Sequence, residues 1–137
     1  MAQKDIYHDA CKNALIKDGW IITHDPFILS FGKRNAYVDI GAELPMAAEK
    51  GGHKIAVEVK SFRGPSEMIN LENALGQYIL YRSLLKQDEP ERVLHLAVTD
   101  DVYRGIFSEP LGQFIKAEHD LKIIVFNDIA EVIVKWI

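Results

Sequence analysis

One cysteine, Cys11, stands in this chain of 137 residues, so neither an internal disulfide nor a cysteine-built metal centre can be assembled from it. Long apolar runs are missing as well. None approaches the ~20 residues that a membrane-spanning helix requires. The opening stretch, MAQKDIYHDACKNALIKDGW, contains no apolar signal segment and reads as an amphipathic helix, which sets the expectation of a cytoplasmic protein with no membrane contact. Basic excess is lacking: 16 Lys and Arg against 20 Asp and Glu give a net charge of −4. Nonspecific nucleic-acid binding neutralises phosphates with Lys and Arg, so any DNA contact here must come from a local patch or a partner. The five histidines, His8, His24, His53, His95 and His119, fall without ligand spacing, which argues against a zinc site. Gly51-Gly52 lacks the strand–loop–helix setting of a phosphate-binding loop, and no Ser or Cys occupies a nucleophile elbow.

What remains is an ordinary globular composition, 48% apolar and 26% charged, with a length that predicts one domain over residues 1–137. Ile6, Ala10, Cys11, Ala14 and Leu15 predict a helix over Asp5–Lys17, with Gly19 at its C-terminal cap. Trp20–Phe31 reads as a strand bent at Asp25-Pro26, and Ala36–Ile40 as a second strand returning beside it after a turn at Gly32–Asn35. A short helical turn is expected at Ala47–Lys50 before Gly51-Gly52. The strand of Lys54–Phe62 then closes a three-stranded antiparallel meander. Ser66 is an expected N-cap for a long helix over Met68–Leu85, stopped by Glu89-Pro90. Val93–Val98 is a continuous apolar run, as a buried central strand requires. A helix broken near Pro110 and ending around Glu118 follows, then strands at Leu121–Phe126 and Glu131–Ile137. Strands separated by helices imply parallel crossovers, so the expected fold is a mixed α/β sheet flanked by helices.

The segment KIAVEVKSF, Lys54 to Phe62, organises the chemistry. Side chains two apart on a strand share a face, so Glu58 and Lys60 point the same way. An isolated Glu-x-Lys is usually a solvated strand face. Here it follows Asp39, set inside the run Tyr37–Ile40, and precedes Gln77 and Tyr81, one turn apart on the long helix. That order and those elements make a nuclease-like constellation. Asp39 and Glu58 offer the hard oxygens that magnesium prefers, with the Val59 carbonyl as a third. Lys60 would orient an attacking water and stabilise developing negative charge. Gln77 and Tyr81 would hydrogen-bond a phosphate or align Lys60. The competing readings are plain: Asp39 bonding the turn at Gly41, and Gln77 and Tyr81 as a half-buried surface pair. Glu43 and Glu49 are further carboxylates, read as solvated. Glu43 is the one with a possible second role at the metal. His8 is read as a surface residue more readily than one aimed at the site. Lys33, Arg34, Arg63, Arg82 and Lys86 are candidates for a basic rim.

At these residues the chain resembles the PD-(D/E)XK nuclease superfamily, with Asp39 and Glu58-Val59-Lys60 in its motif positions and Val38 where the naming proline would stand. The Gln77-x-x-x-Tyr81 pair is similar to the accessory motif of the RecB-like branch. More closely, and end to end, the chain resembles the XisH family of fdxN element excision controlling factors of cyanobacteria, through KNALIKDGWIITHDP, YVDIGAE, KIAVEVKSF, ALGQYILYR and EVIVKWI. The resemblance implies a restriction-endonuclease-like fold, magnesium or manganese as cofactor, and a part in excising a DNA element during heterocyst differentiation. It implies as partners DNA, a companion factor of the XisI family and a site-specific recombinase, with a homodimer among the possible assemblies. Two readings follow: a metal-dependent DNA endonuclease-like protein, or a catalytically inactive nuclease-fold accessory protein that regulates the recombinase by protein contacts.

Overall fold

Cys11, Ala14 and Leu15 recur at helical spacing, and all three are fully buried where α1 (His8–Lys17) lies against a sheet. A computed structural model describes residues 4–45 and 53–137 of the chain. The expected turn at Ala47–Lys50, the Gly51-Gly52 break and Glu49 lie outside the described residues.

The strand expected over Trp20–Phe31 is two strands. Asp25-Pro26, a cis peptide, separates β1 (Ile21–His24) from β2 (Phe27–Phe31). The returning segment divides in the same way at Asp39, into β3 (Arg34–Val38) and β4 (Ile40–Leu44). β2 and β3 form a separate two-stranded ribbon, while β1 and β4 enter the main sheet. Gly41 permits this crossing, because a Cβ there would stand 2.8 Å from the Phe27 ring and 2.9 Å from the His24 ring.

β5 (His53–Val59) pairs antiparallel with β4, completing the expected meander in the order β1-β4-β5. It ends at Val59, three residues earlier than the sequence pattern indicates: Phe62 takes a positive φ of 55° and the chain turns out of the sheet. α2 (Glu67–Asp88) follows, with Ser66 Oγ accepting the Ile69 N–H at 3.2 Å as the expected cap. β6 (Arg92–Thr99) lies parallel to β5, and the helical segment beyond it is two helices, α3 (Asp100–Arg104) and α4 (Pro110–Glu118), joined through a 3-10 turn at Ile106–Ser108. β7 (Ile123–Asn127) runs parallel to β6, and β8 (Val132–Trp136) folds back antiparallel on the edge. The six-stranded order β1-β4-β5-β6-β7-β8 is the mixed sheet expected, an antiparallel meander joined to parallel crossover strands.

Pleat alternation divides the core between the two faces. Ile55, Val57 and Val59 of β5 pack with Cys11, Ala14 and Leu15 under α1. Ala56 packs with Leu71, Ala74, Tyr78 and Leu85 under α2. Even-numbered side chains of β5 therefore face α2, which sends Glu58 toward that helix. Among the described residues no helix is long and apolar enough to cross a membrane.

Candidate active site

β4 and β5 pair with Ile40 opposite Val57, and one further step of that register sets Asp39 opposite Glu58. The two residues clasp each other's backbone. The Asp39 N–H donates to Glu58 Oε1 at 3.2 Å, and the Val59 N–H donates to Asp39 Oδ2 at 2.7 Å. Asp39 thus bonds the neighbouring strand and not the turn at Gly41. Lys60 Nζ stands 3.5 Å from Glu58 Oε2, so the Glu-x-Lys pair shares one side as the pleat requires. Val59 joins the group through its N–H.

Burial sets the electrostatics. Glu58 is 7% exposed, and desolvation, followed by the charge of Asp39, pushes its pKa up to about 8 against the weaker pull of Lys60. Asp39 is also raised above the usual carboxylate range, again mainly by burial, with the Val59 N–H, His8 and Lys60 acting the other way. Tyr81 is pushed up to about 12 by burial and by the charges of Glu58 and Asp39, which places that hydroxyl in the field of both carboxylates. Gln77 is partly buried beside it, and its Oε1 has no hydrogen-bond partner. The structure thus brings Asp39, Glu58, Val59 and Lys60 into contact and sets the α2 pair on the side of the sheet that Glu58 faces.

Three participants were not legible as such. His8 is 2% exposed, against the expectation of a surface position, because the first turn of α1 tucks under the β3–β4 junction. Its Nδ1 lies 3.9 Å from Asp39 Oδ1, and its Nε2 lies 2.9 Å from Asp25 Oδ1. Asp25 takes Lys12 Nζ at 2.8 Å. Burial tends to raise the Asp25 carboxyl, but Lys12 and His8 outweigh it and hold it below its ordinary value. Asp5 accepts the N–H of Ser61 at 2.9 Å and fixes the segment that carries Lys60. The spacing of His8 and Lys12 on one helical face was the available signal; nothing local indicates their partners.

Glu43 is turned elsewhere, 3.6 Å from the buried Arg92 guanidinium, which also donates to the carbonyls of Ile55 and Ala42. The candidate rim does not form a single patch. Arg82 donates to the His119 carbonyl at 2.6 Å and stacks over Tyr78, while Arg63 alone lies in a cavity shared with Lys60.

Hard carboxylate oxygens, both disfavoured as anions where they stand, suit a divalent cation. Asp39 and Glu58 are the residues able to hold one. Among the described residues no group of three His, Cys, Asp or Glu gathers into a closed cage. Magnesium is commonly held by one or two carboxylates and several waters, and Asp39 and Glu58 offer two carboxylates.

Comparison with known proteins places the chain among relatives of the same fold. The XisH protein family model matches residues 1–134. The chain is similar to the crystal structure of an XisH family protein from Nostoc punctiforme PCC 73102, at 42% identity and a TM-score of 0.88, covering 97% of this chain and 99% of that one. It is also similar to a fdxN element excision controlling factor protein from Anabaena variabilis, at 41% identity and a TM-score of 0.87, covering 98% and 99%. No curated protein matches it. With a family model spanning nearly its whole length, the chain belongs to the XisH family.

Proposed function

We propose that this protein acts in programmed DNA excision, as an excision controlling factor of the fdxN type, and that Asp39, Glu58 and Lys60 form a metal-dependent DNA endonuclease site. The observation that carries the reading is the reciprocal clasp of Asp39 and Glu58 beside Lys60. A bound magnesium or manganese ion would polarise the phosphoryl oxygen and make a nucleophilic water available at neutral pH. Asp39 and Glu58 would hold it, with the Val59 carbonyl as the third protein oxygen. The Lys60 ammonium orients the attacking water and stabilises charge developing on the phosphate. Tyr81 keeps its proton at neutral pH and serves as a hydrogen-bond donor. Gln77 presents a free acceptor, Oε1, to the same side.

The test is cleavage of supercoiled, linear duplex and single-stranded DNA by purified protein with magnesium or manganese. Glu58→Gln and Lys60→Ala are each expected to lose activity by about 100-fold or more while keeping the wild-type circular dichroism. Absence of cleavage of every DNA form, alone or with an XisI-family companion, overturns the endonuclease reading.

One observation favours the accessory reading, in which the protein regulates a recombinase by contact. β8 is an outer strand with Val132, Val134 and Trp136 exposed, and its cationic residue Lys135 lies over the Tyr103 ring at 4.7 Å. Outer strands are usually guarded by charge, and this one offers its apolar side chains to a partner strand. Removing the C-terminal residues is an unsuitable test, because Ile137 exchanges backbone hydrogen bonds with Ile123 and Trp136 stacks on Trp20. Val134→Lys leaves those contacts. It should abolish complex formation if this edge is used, and unchanged binding of the companion and the recombinase counts against it.

A further inference from the structure

Asn70, Asn73, Gln77 and Tyr81 recur three and four residues apart, so they form one stripe along α2. The Tyr81 end feels the charges of Glu58 and Asp39. The other end lines a cavity of about 200 Å³ together with Lys60, Arg63 and Asp5. Two buried side-chain atoms of this stripe have no hydrogen-bond partner, Gln77 Oε1 and Asn70 Nδ2, and Asn70 is one of the residues lining the cavity. A buried donor left unpaired is destabilising, and a ligand oxygen removes that penalty. The unpaired atom here is a donor, and its neighbours in the cavity are the Asn73 amide and two cations. The acidic group present, Asp5, already accepts the N–H of Tyr7 and of Ser61, each at 2.9 Å. Glu67, in the first turn of α2, is directed at Gly105 and away from the cavity.

Such a lining fits an acceptor-only anion. Lys60 belongs to both places, lining the cavity while its Nζ lies 3.5 Å from Glu58, so the cavity is one side chain away from the proposed reacting group. We propose that this cavity binds a backbone phosphate of a polynucleotide adjoining the phosphodiester at the carboxylates, with Arg63, Asn70 and Asn73 as its positioning residues. This rests on the endonuclease reading, and it supplies the local cationic patch that a chain of net charge −4 needs.

The experiment measures binding of a fluorescein-labelled 12-nucleotide strand and the matching duplex by anisotropy, in calcium, across a salt series. Arg63→Ala, Asn70→Asp and Asn73→Asp are compared with the wild type. Asn73 is exposed, so its variant keeps the fold. Each variant is expected to weaken binding by about 5- to 10-fold, and Arg63→Ala to lower the slope of log K against log salt by about one. Calcium binding to the protein alone should be unchanged in all three. Wild-type binding with variants indistinguishable from it overturns the phosphate subsite and leaves the endonuclease reading standing. No binding of either DNA by the wild type overturns both. Inorganic phosphate should displace the strand only weakly. Phosphate that binds tightly while the strand fails to compete assigns the cavity to a free anion and overturns the inference.

Discussion

Glu58 is a carboxylate that folding makes reluctant to ionise, and that reluctance has a measurable sign. Its pKa is pushed from 4.5 in the unfolded reference up to about 8 in the fold, chiefly by burial. The folded protein therefore keeps a proton that the unfolded chain releases between those values. Stability contributed by the neutral group is fully present below pH 4.5 and is lost as pH rises toward 8. Asp39, raised for the same reason, adds in the same direction. Thermal unfolding of metal-free protein should show a loss on the order of a few kcal/mol between pH 5 and pH 8.5. Glu58→Gln should flatten that profile and exceed the wild type in stability at pH 8. A wild-type profile that rises with pH over that range would contradict the assignment of burial as the dominant cause.

At the scale of elements, α1 and α2 cover opposite faces of the sheet that carries the carboxylates. α1 reaches toward them through Lys12, Asp25 and His8 in series, ending 3.9 Å from Asp39. Groups that orient a ligand residue commonly govern metal affinity, so His8→Ala should weaken divalent-cation binding by about 10-fold, with the circular dichroism unchanged. Unaltered affinity would assign His8 to packing alone. The helix pair α3–α4 makes a separate prediction. A Cβ on Gly112 would fall 2.0 Å from the Ile106 carbonyl oxygen, so Gly112→Ala should cost about 2 kcal/mol or more, read from the chemical unfolding midpoint. α2 was legible from a long apolar period and β6 from a continuous apolar run, and Glu58 with Lys60 followed from the two-residue pleat alone. The division of each strand of the first hairpin was not legible. Asp25-Pro26 reads equally as a bend within one strand, and only packing of the ribbon's Phe27, Leu29 and Val38 against α2's apolar face decides otherwise. His8 reads as a surface residue for a similar reason: its partners lie 17 and 31 residues along the chain, and local pattern carries no information at that range.

For the whole molecule, the balance of charge and the open edge decide how it meets others. With a net charge of −4, the proposed association with DNA would rest on Lys60, Arg63 and a divalent cation; it is then expected to weaken steeply between 50 and 200 mM salt and to depend on that cation. Salt-insensitive binding would point away from phosphate contacts. The mixed sheet, an antiparallel meander joined to parallel crossover strands, was readable from the order of helices and strands. The two-stranded ribbon and the early end of β5 were set by long-range packing instead. The most direct measurement of the central claim is titration calorimetry of manganese or magnesium into metal-free protein near pH 7, for the wild type and for Asp39→Asn/Glu58→Gln. The wild type is predicted to bind a divalent cation with proton release, because raised carboxyls must give up protons to ligate it, and the double variant is predicted to bind none. Equal binding by the two proteins, or a folded wild type that binds no cation with or without DNA, would contradict the account.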